Sequence, residues 1–278
     1  MGQVLFIVWR ESAEAMLVIG ILHAWLRANP DRGLGLRHLW GGVAAGVLAA
    51  VGLGGAILWF QTFFAGDAQE YFQLAMVLVA SALILQMVVW MRRNGRNLRR
   101  NLEAGMERSA GTASGLGLVT LVLLAVAREG SEMVIFLYGT GLAQQGVDLL
   151  RFAAMAAAGF LLAVLTFWIL QWGGRVLSWK TFFRISEGML LVLAGSMLVS
   201  GVEKMEALGW LPSLKDQLWN TAWMLDDGSR MGGLVASLTG YRAQPSLLLL
   251  LVYALYWLAI FAVLSHRETP RKLVASRA

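Results

Sequence analysis

Only 14% of the 278 residues are charged and 58% are hydrophobic, against roughly 25% charged in an ordinary soluble domain, which puts the chain in a lipid bilayer. The absence of cysteine excludes disulfides, thiolate metal sites and iron–sulfur clusters. The formal charge of +6 sits in runs beside apolar segments, which suits contact with anionic lipid heads rather than nucleic acid.

The first apolar run starts almost at once. Only Met1, Gly2 and Gln3 precede it, with no basic n-region, so the sequence predicts a retained helix over 4–26 rather than a cleaved signal. Met1-Gly2 is no myristoylation signal, because position 6 is Phe rather than Ser or Thr. This span holds "WRESAEAML", which sets Arg10, Glu11 and Glu14 in hydrocarbon. Further spans are predicted over 39–60, 71–91 and 116–142, and the last of these repeats the pattern in "AREGSEMVI" with Arg128, Glu129 and Glu132. Spans over 152–172, 184–203 and 245–265 complete seven. Between the last two, the loop 204–244 carries Pro212, Asp226, Asp227, Gly228, Trp210, Trp219 and Trp223, and is expected to lie partly on the membrane surface.

Loop charge sets the direction. Arg27, Arg32 and Arg37, the run from Arg92 to Arg108, then Arg175, Lys180, Arg184 and the basic C-terminus fall on one side. The other side receives Arg151, Lys204, Lys215, Arg230 and Arg242 among acidic residues. The positive-inside rule then puts the N-terminus outside and the C-terminus inside.

Residues 37–51 resemble 151–164, and 78–85 resemble 192–199, so spans 1–3 match spans 4–6. Three spans per unit force the second copy to insert inverted. The predicted architecture is an all-α integral membrane protein with a 3+3 inverted repeat plus one C-terminal helix. It forms a single permease domain over 1–278: repeat 1 over 1–100, repeat 2 over 110–204, the outer loop 204–244 and the final helix 245–265. Such repeats characterise transporters, with the site near the midplane between the halves.

Residues three and four apart share a helix face, so Glu11 projects with Glu14 and Glu129 with Glu132. A charge at the bilayer centre costs about 3 kcal/mol or more, so the six residues need one another, water or an ion. With all four glutamates ionised, two arginines leave a remainder that a divalent cation would neutralise. One reading is a pair of salt bridges locking two helices. A single Arg–Glu pair would suffice for that, and the second glutamate of each copy is left over. Oxygen ligation suits hard cations such as ferric iron, magnesium, calcium or manganese, and not copper(I). His23 reads as an interfacial residue, and Met16 and Met133 as packing rather than thioether ligands. No Ser–His or His-Glu-x-x-His arrangement marks a hydrolase, so no enzyme activity is expected.

"RESAE" and "REGSE" in the first and fourth spans resemble the iron permease family, the oxidase-dependent or high-affinity iron transporters of fungi and bacteria. The segment "DDGSRMGGLVASLTGYRAQPS" (226–246) is similar to that family's acidic-to-Gly-Tyr-x-x-x-Pro-Ser ending. The resemblance implies inward iron transport across a bacterial cytoplasmic membrane, with iron as substrate and no organic cofactor. Glu11, Glu14, Glu129 and Glu132 would be ligands, and Arg10 and Arg128 would orient them or balance charge. It implies separate periplasmic partners, cupredoxin-like or peroxidase-like, that oxidise or capture iron. Candidate path residues are Gln73 at the entrance and Glu187 toward the exit, the latter also placed to pair with Arg184. Asp226 and Asp227 read as an acidic turn, with iron capture as the alternative. Transport of manganese or another hard cation, and a metal-sensing subunit without flux, are the competing readings.

Overall fold

The computed structural model describes residues 2–30, 35–94, 100, 102, 104–107, 115–142, 149–171, 179–212, 214–215 and 217–265. Arg32, Arg96, Arg99, Arg108, Arg175, Arg267, Arg271, Lys272 and Arg277 of the expected basic side lie outside the described residues, as does Asp216 of the outer loop. Among the described residues the regular structure is entirely helical. The helices are α1 (Gly2–Ala28), α2 (Leu36–Gln61), α3 (Asp67–Asn94), α4 (Gly115–Leu137), α5 (Leu149–Gln171), α6 (Trp179–Ala207), α7 (Arg230–Thr239) and α8 (Leu247–Ser265). A π-turn, Tyr138–Leu142, continues α4.

Helices dominate because a chain in lipid must satisfy its backbone groups internally. Among the described residues, five helices are long and apolar enough to cross a membrane: α2, α5 and α8, with Asp67–Arg92 of α3 and Thr181–Ala207 of α6. The sequence reading expected seven spans. The two it adds are α1 and α4, which are 27 and 23 residues long but each carry an Arg-Glu-x-x-Glu. Apolar side chains of α2, α5 and α8 stay exposed, among them Leu48, Val51, Leu161, Leu165, Leu255 and Phe261. That is the expected face toward lipid, which gives no hydrophobic reward for burying them.

Close helix pairing comes from small residues. α2 runs parallel to α4, with Gly42 over Val122, Gly46 over Val126 and Gly130 over Ala50. α1 runs parallel to α5: Gly159 lies against the Leu5 carbonyl, and Trp9 Nε1 donates to Thr166 Oγ1 at 3.0 Å. α3 runs antiparallel to α6. Ser81 Oγ donates to the Ala194 carbonyl at 3.0 Å near their middle, Lys204 Nζ donates to Gln73 Oε1 at 3.0 Å near one end, and Arg92 pairs with Glu187 near the other. The largest buried cluster draws Phe6 and Ile7 of α1, Ile84 and Met87 of α3, Phe136 of α4 and Leu193 and Met197 of α6 into one core.

The segment 204–244 departs from a surface loop. It contains α7, which starts at Ser229, whose hydroxyl accepts from Gly232 N at 3.0 Å, and ends at Gly240 with φ 76°. α7 folds back among the other helices. Ser196 Oγ, well inside α6, donates to the Ser237 carbonyl at 2.5 Å, and Gln3 of α1 donates to the same carbonyl. Tyr253 Oη of α8 donates to the Thr239 carbonyl at 2.9 Å. The helix-end carbonyls thus find partners inside the protein. Trp210, Trp219 and Trp223 remain exposed.

Candidate metal site

The two motifs meet. α1 turns Arg10, Glu11 and Glu14 inward, all three buried, because residues one turn apart on a helix share a face. Arg10 Nη1 donates to Glu11 Oε1 at 2.7 Å, and Arg10 Nη2 lies 2.6 Å from Glu14 Oε1. Arg10 Nη1 also donates to Met87 Sδ of α3 at 2.9 Å. On α4, Arg128 Nε donates to Glu132 Oε1 at 2.9 Å, and the guanidinium lies over the Trp90 ring, 4.3 Å from its centroid. Carboxylate oxygens of Glu11, Glu14 and Glu129 lie within 4.8 Å of one another.

Arginine fits both places because its fork can grip two carboxylate oxygens while its flat face stacks on an aromatic ring. The acceptors nevertheless outnumber the donors. Among the described residues, four carboxylate oxygens, Glu11 Oε2, Glu14 Oε1, Glu129 Oε2 and Glu132 Oε2, and two donors, Arg10 Nε and Nη2, are buried without a hydrogen-bond partner. A buried carboxylate oxygen left unpaired is costly. A cation among the glutamates would supply what the two arginines do not.

The two halves of the cluster differ in access. The Arg10 side chain is 0% exposed, while that of Arg128 is 38% exposed and that of Glu132 is 16% exposed. Arg128 lies one turn nearer the N-terminal end of α4 than Glu132, the end where Gly115 adjoins His38 of α2. Arg128 and Glu132 are therefore the accessible members of the cluster.

The remaining sequence candidates lie elsewhere. Gln73 lines a cleft of about 480 Å³ with Gly66, Asp67, Gln69, Glu70 and Lys204. Glu187 of α6 pairs with Arg92 of α3 rather than with its i, i+3 neighbour Arg184, the local partner that spacing offers beside an exit-path role. Asp226 and Asp227 shape the turn before α7: Asp226 Oδ1 accepts from Gly228 N at 2.9 Å, and Asp227 Oδ2 accepts from Ala243 N at 3.4 Å. Met16 and Met133 pack into apolar clusters. Sequence reasoning missed Met87 and Trp90. "LQMVVWMRR" reads as ordinary membrane core running into a basic end, and nothing in it signals contact with either arginine.

The model of the Iron permease FTR1 family matches residues 1–267. The chain belongs to that family. Among similar proteins is a "Ferrous iron permease EfeU" of Yersinia pestis, 26% identical over 274 residues, covering 97% of this chain and 96% of that protein. Another of the same description, from Escherichia coli O6:K15:H31 (strain 536 / UPEC), is 29% identical over 252 residues, covering 90% of each chain. No solved structure matches significantly. Membership in a permease family, with five helices among the described residues long and apolar enough to cross a bilayer, makes this a multi-pass membrane protein. As an iron permease it handles iron as transported substrate.

Proposed function

We propose that this permease carries iron inward across the bacterial cytoplasmic membrane, through a site that Glu11, Glu14, Glu129 and Glu132 form near the midplane. The observation carrying this reading is that Glu11, Glu14 and Glu129, from two helices far apart in sequence, bring oxygens within 4.8 Å of one another. Structural locking would need one carboxylate per arginine. Here Arg10 already has Glu11 and Glu14 as ion-pair partners, and Glu129 adds an unpaired oxygen beside them. Glu132 joins the cage when Arg128 releases it, and the guanidiniums hold the carboxylates between cations.

In the same reading all seven long helices span the membrane, N-terminus outside, as one domain. Two groups of three, 1–100 and 110–204, relate by an inverted repeat. The pairing of α1 with α5, α2 with α4 and α3 with α6 supports it, because a two-fold axis that exchanges the halves requires those partners. The cleft at Gln73 is the entrance, with Asp67 and Glu70 drawing cations toward it. Glu187 and Arg92 flank the exit. Asp226 and Asp227 serve the turn rather than the ion. A separate periplasmic protein, cupredoxin-like or peroxidase-like, delivers the iron.

The test is uptake of 55Fe by an iron-starved host expressing wild-type, Glu14→Gln or Glu129→Gln protein at matched membrane levels. Saturable uptake is expected to vanish in both variants. Wild-type rates in both would sink the site. Stronger competition by manganese than by unlabelled iron would sink the choice of cargo.

A further inference from the structure

Carboxylates alone do not solve the selectivity problem. Oxygen cages accept magnesium and calcium as well as iron, since all are held by the same ligand chemistry. A donor that the hard ions do not want is one way to sharpen the discrimination.

Met87 supplies one. Its sulfur accepts from Arg10 Nη1 at 2.9 Å, and the same nitrogen donates to Glu11 Oε1 at 2.7 Å. The thioether and the Glu11 carboxylate are thus neighbours on either side of one positive group. Met87 is 4% exposed, with its backbone fixed in α3 and its side chain in the core beside Ile84 and Val88. A cation arriving among Glu11, Glu14 and Glu129 repels the guanidinium. As Arg10 yields Glu11, it keeps Glu14 through Nη2, at 2.6 Å, and the sulfur loses its proton donor. An unbranched thioether has three rotatable bonds and can turn toward the ion without moving the helix. Being neutral, it leaves the charge balance of the cage unchanged and alters only its softness.

We propose that Met87 is a specificity-determining residue of this permease, adding one soft donor to the carboxylate cage and biasing it toward ferrous iron and softer divalent ions over magnesium, calcium and ferric iron. The inference rests on the carboxylate cage binding the cargo. It also follows a different observation, the sulfur seated on the nitrogen that holds Glu11.

The experiment uses the purified full chain with cadmium as probe, read by X-ray absorption, and proteoliposome uptake of ferrous iron with magnesium or calcium as competitor. The chain has no cysteine, so any sulfur neighbour of bound cadmium is a methionine. Wild-type protein is expected to show a cadmium–sulfur shell. Met87→Leu, which conserves volume, loses that shell, and its preference for ferrous iron over magnesium and calcium falls about tenfold, the scale on which metal sites respond to a lost supporting group. Met87→Gln keeps an acceptor for Arg10 but offers a hard oxygen. It is expected to remain folded, to bind cadmium with oxygen alone, and to shift toward the hard ions as Met87→Leu does. A wild-type cadmium site made of oxygen alone overturns the assignment, as does a sulfur shell that survives Met87→Leu or a competition profile that neither variant changes. Wild-type protein that binds no divalent ion at all overturns the transport reading itself, and the assignment with it.

Discussion

Gly159→Ala adds one methyl group where α5 crosses α1. The new Cβ would lie 2.6 Å from the Leu5 carbonyl oxygen, 3.2 Å from Trp9 N and 3.2 Å from Val8 Cβ. Two of these atoms are backbone, so no rotamer change relieves the clash. Ordinary contact begins near 3.4 Å, so α1 must retreat from α5 by about 0.8 Å at the turn just before Arg10. Metal ligands must be placed to about 0.2 Å, and the displacement is several times that. Overpacking of this kind costs about 1–3 kcal/mol. If that falls on the bound geometry of Glu11 and Glu14, iron affinity drops about tenfold for each 1.4 kcal/mol. The assay is 55Fe uptake across iron concentrations, with a melting curve in detergent. Gly41→Ala and Gly52→Ala are the controls, since nothing lies within 4 Å of an added Cβ at either position. The KM for iron should rise about tenfold in Gly159→Ala and stay put in the controls. An unchanged KM would refute the claim that α1–α5 contact sets the cage.

Arg10→Lys should behave as a loss rather than a conservative change, because one ammonium cannot replace two nitrogens bound to two carboxylates and a sulfur. Leaving a buried carboxylate uncompensated costs about 3 kcal/mol or more, seen as a lower melting temperature in detergent. Arg242→Gln should loosen α7, since Arg242 Nη2 donates to Glu203 Oε2 at 2.6 Å, and proteolysis within 226–246 should accelerate. Burial works against the Arg242 charge, but the Glu203 hydrogen bond and the Glu203 and Asp227 charges outweigh it and hold the guanidinium above its ordinary range. A raised folded-state pKa gives a contribution that is complete below the ordinary arginine range and lost only above it. The Arg242→Gln deficit should therefore be equal at about pH 6 and about pH 9, as urea melts can check. Asp226→Asn with Asp227→Asn keeps the acceptors of the turn, so the KM for iron should not change. A rise would return those aspartates to the ion's path.

The motifs were legible because Arg and Glu inside an apolar run have no ordinary explanation, and their spacing alone puts each pair on one helix face. The convergence of Glu11, Glu14 and Glu129 follows the expectation drawn from that spacing and from the likeness of the two halves, while Glu132, expected with them, is held by Arg128. α7 was not read, since "RMGGLVASLT" holds two glycines and lacks a long apolar stripe, and the tryptophans around it suggested a surface loop. The signals were present in Ser229 and Gly240, at the start and stop positions of a short helix. For Glu187 the sequence offers an exit-path role or a local pair with Arg184, because i, i+3 spacing is visible in sequence, whereas Arg92 reaches it only through the antiparallel packing of α3 on α6. Met87 and Trp90 could not be found at all. Their contacts arise from which face of α3 meets the arginines, and the mostly apolar stretch around them does not announce its faces.

The glycine seams between α2 and α4, and between α1 and α5, cross the middle of the chain. Each early helix finds its wall in a helix synthesised later. While only residues up to α3 have reached the membrane, Gly42 and Gly46 have no Val122 or Val126 to receive, and Arg10 holds its glutamates with no Glu129 opposite. The first half by itself therefore lacks the walls of both seams, which close only once α4 and α5 are present. Fragments cut after α3 should be quality-control substrates, recoverable only when the missing half is supplied alongside.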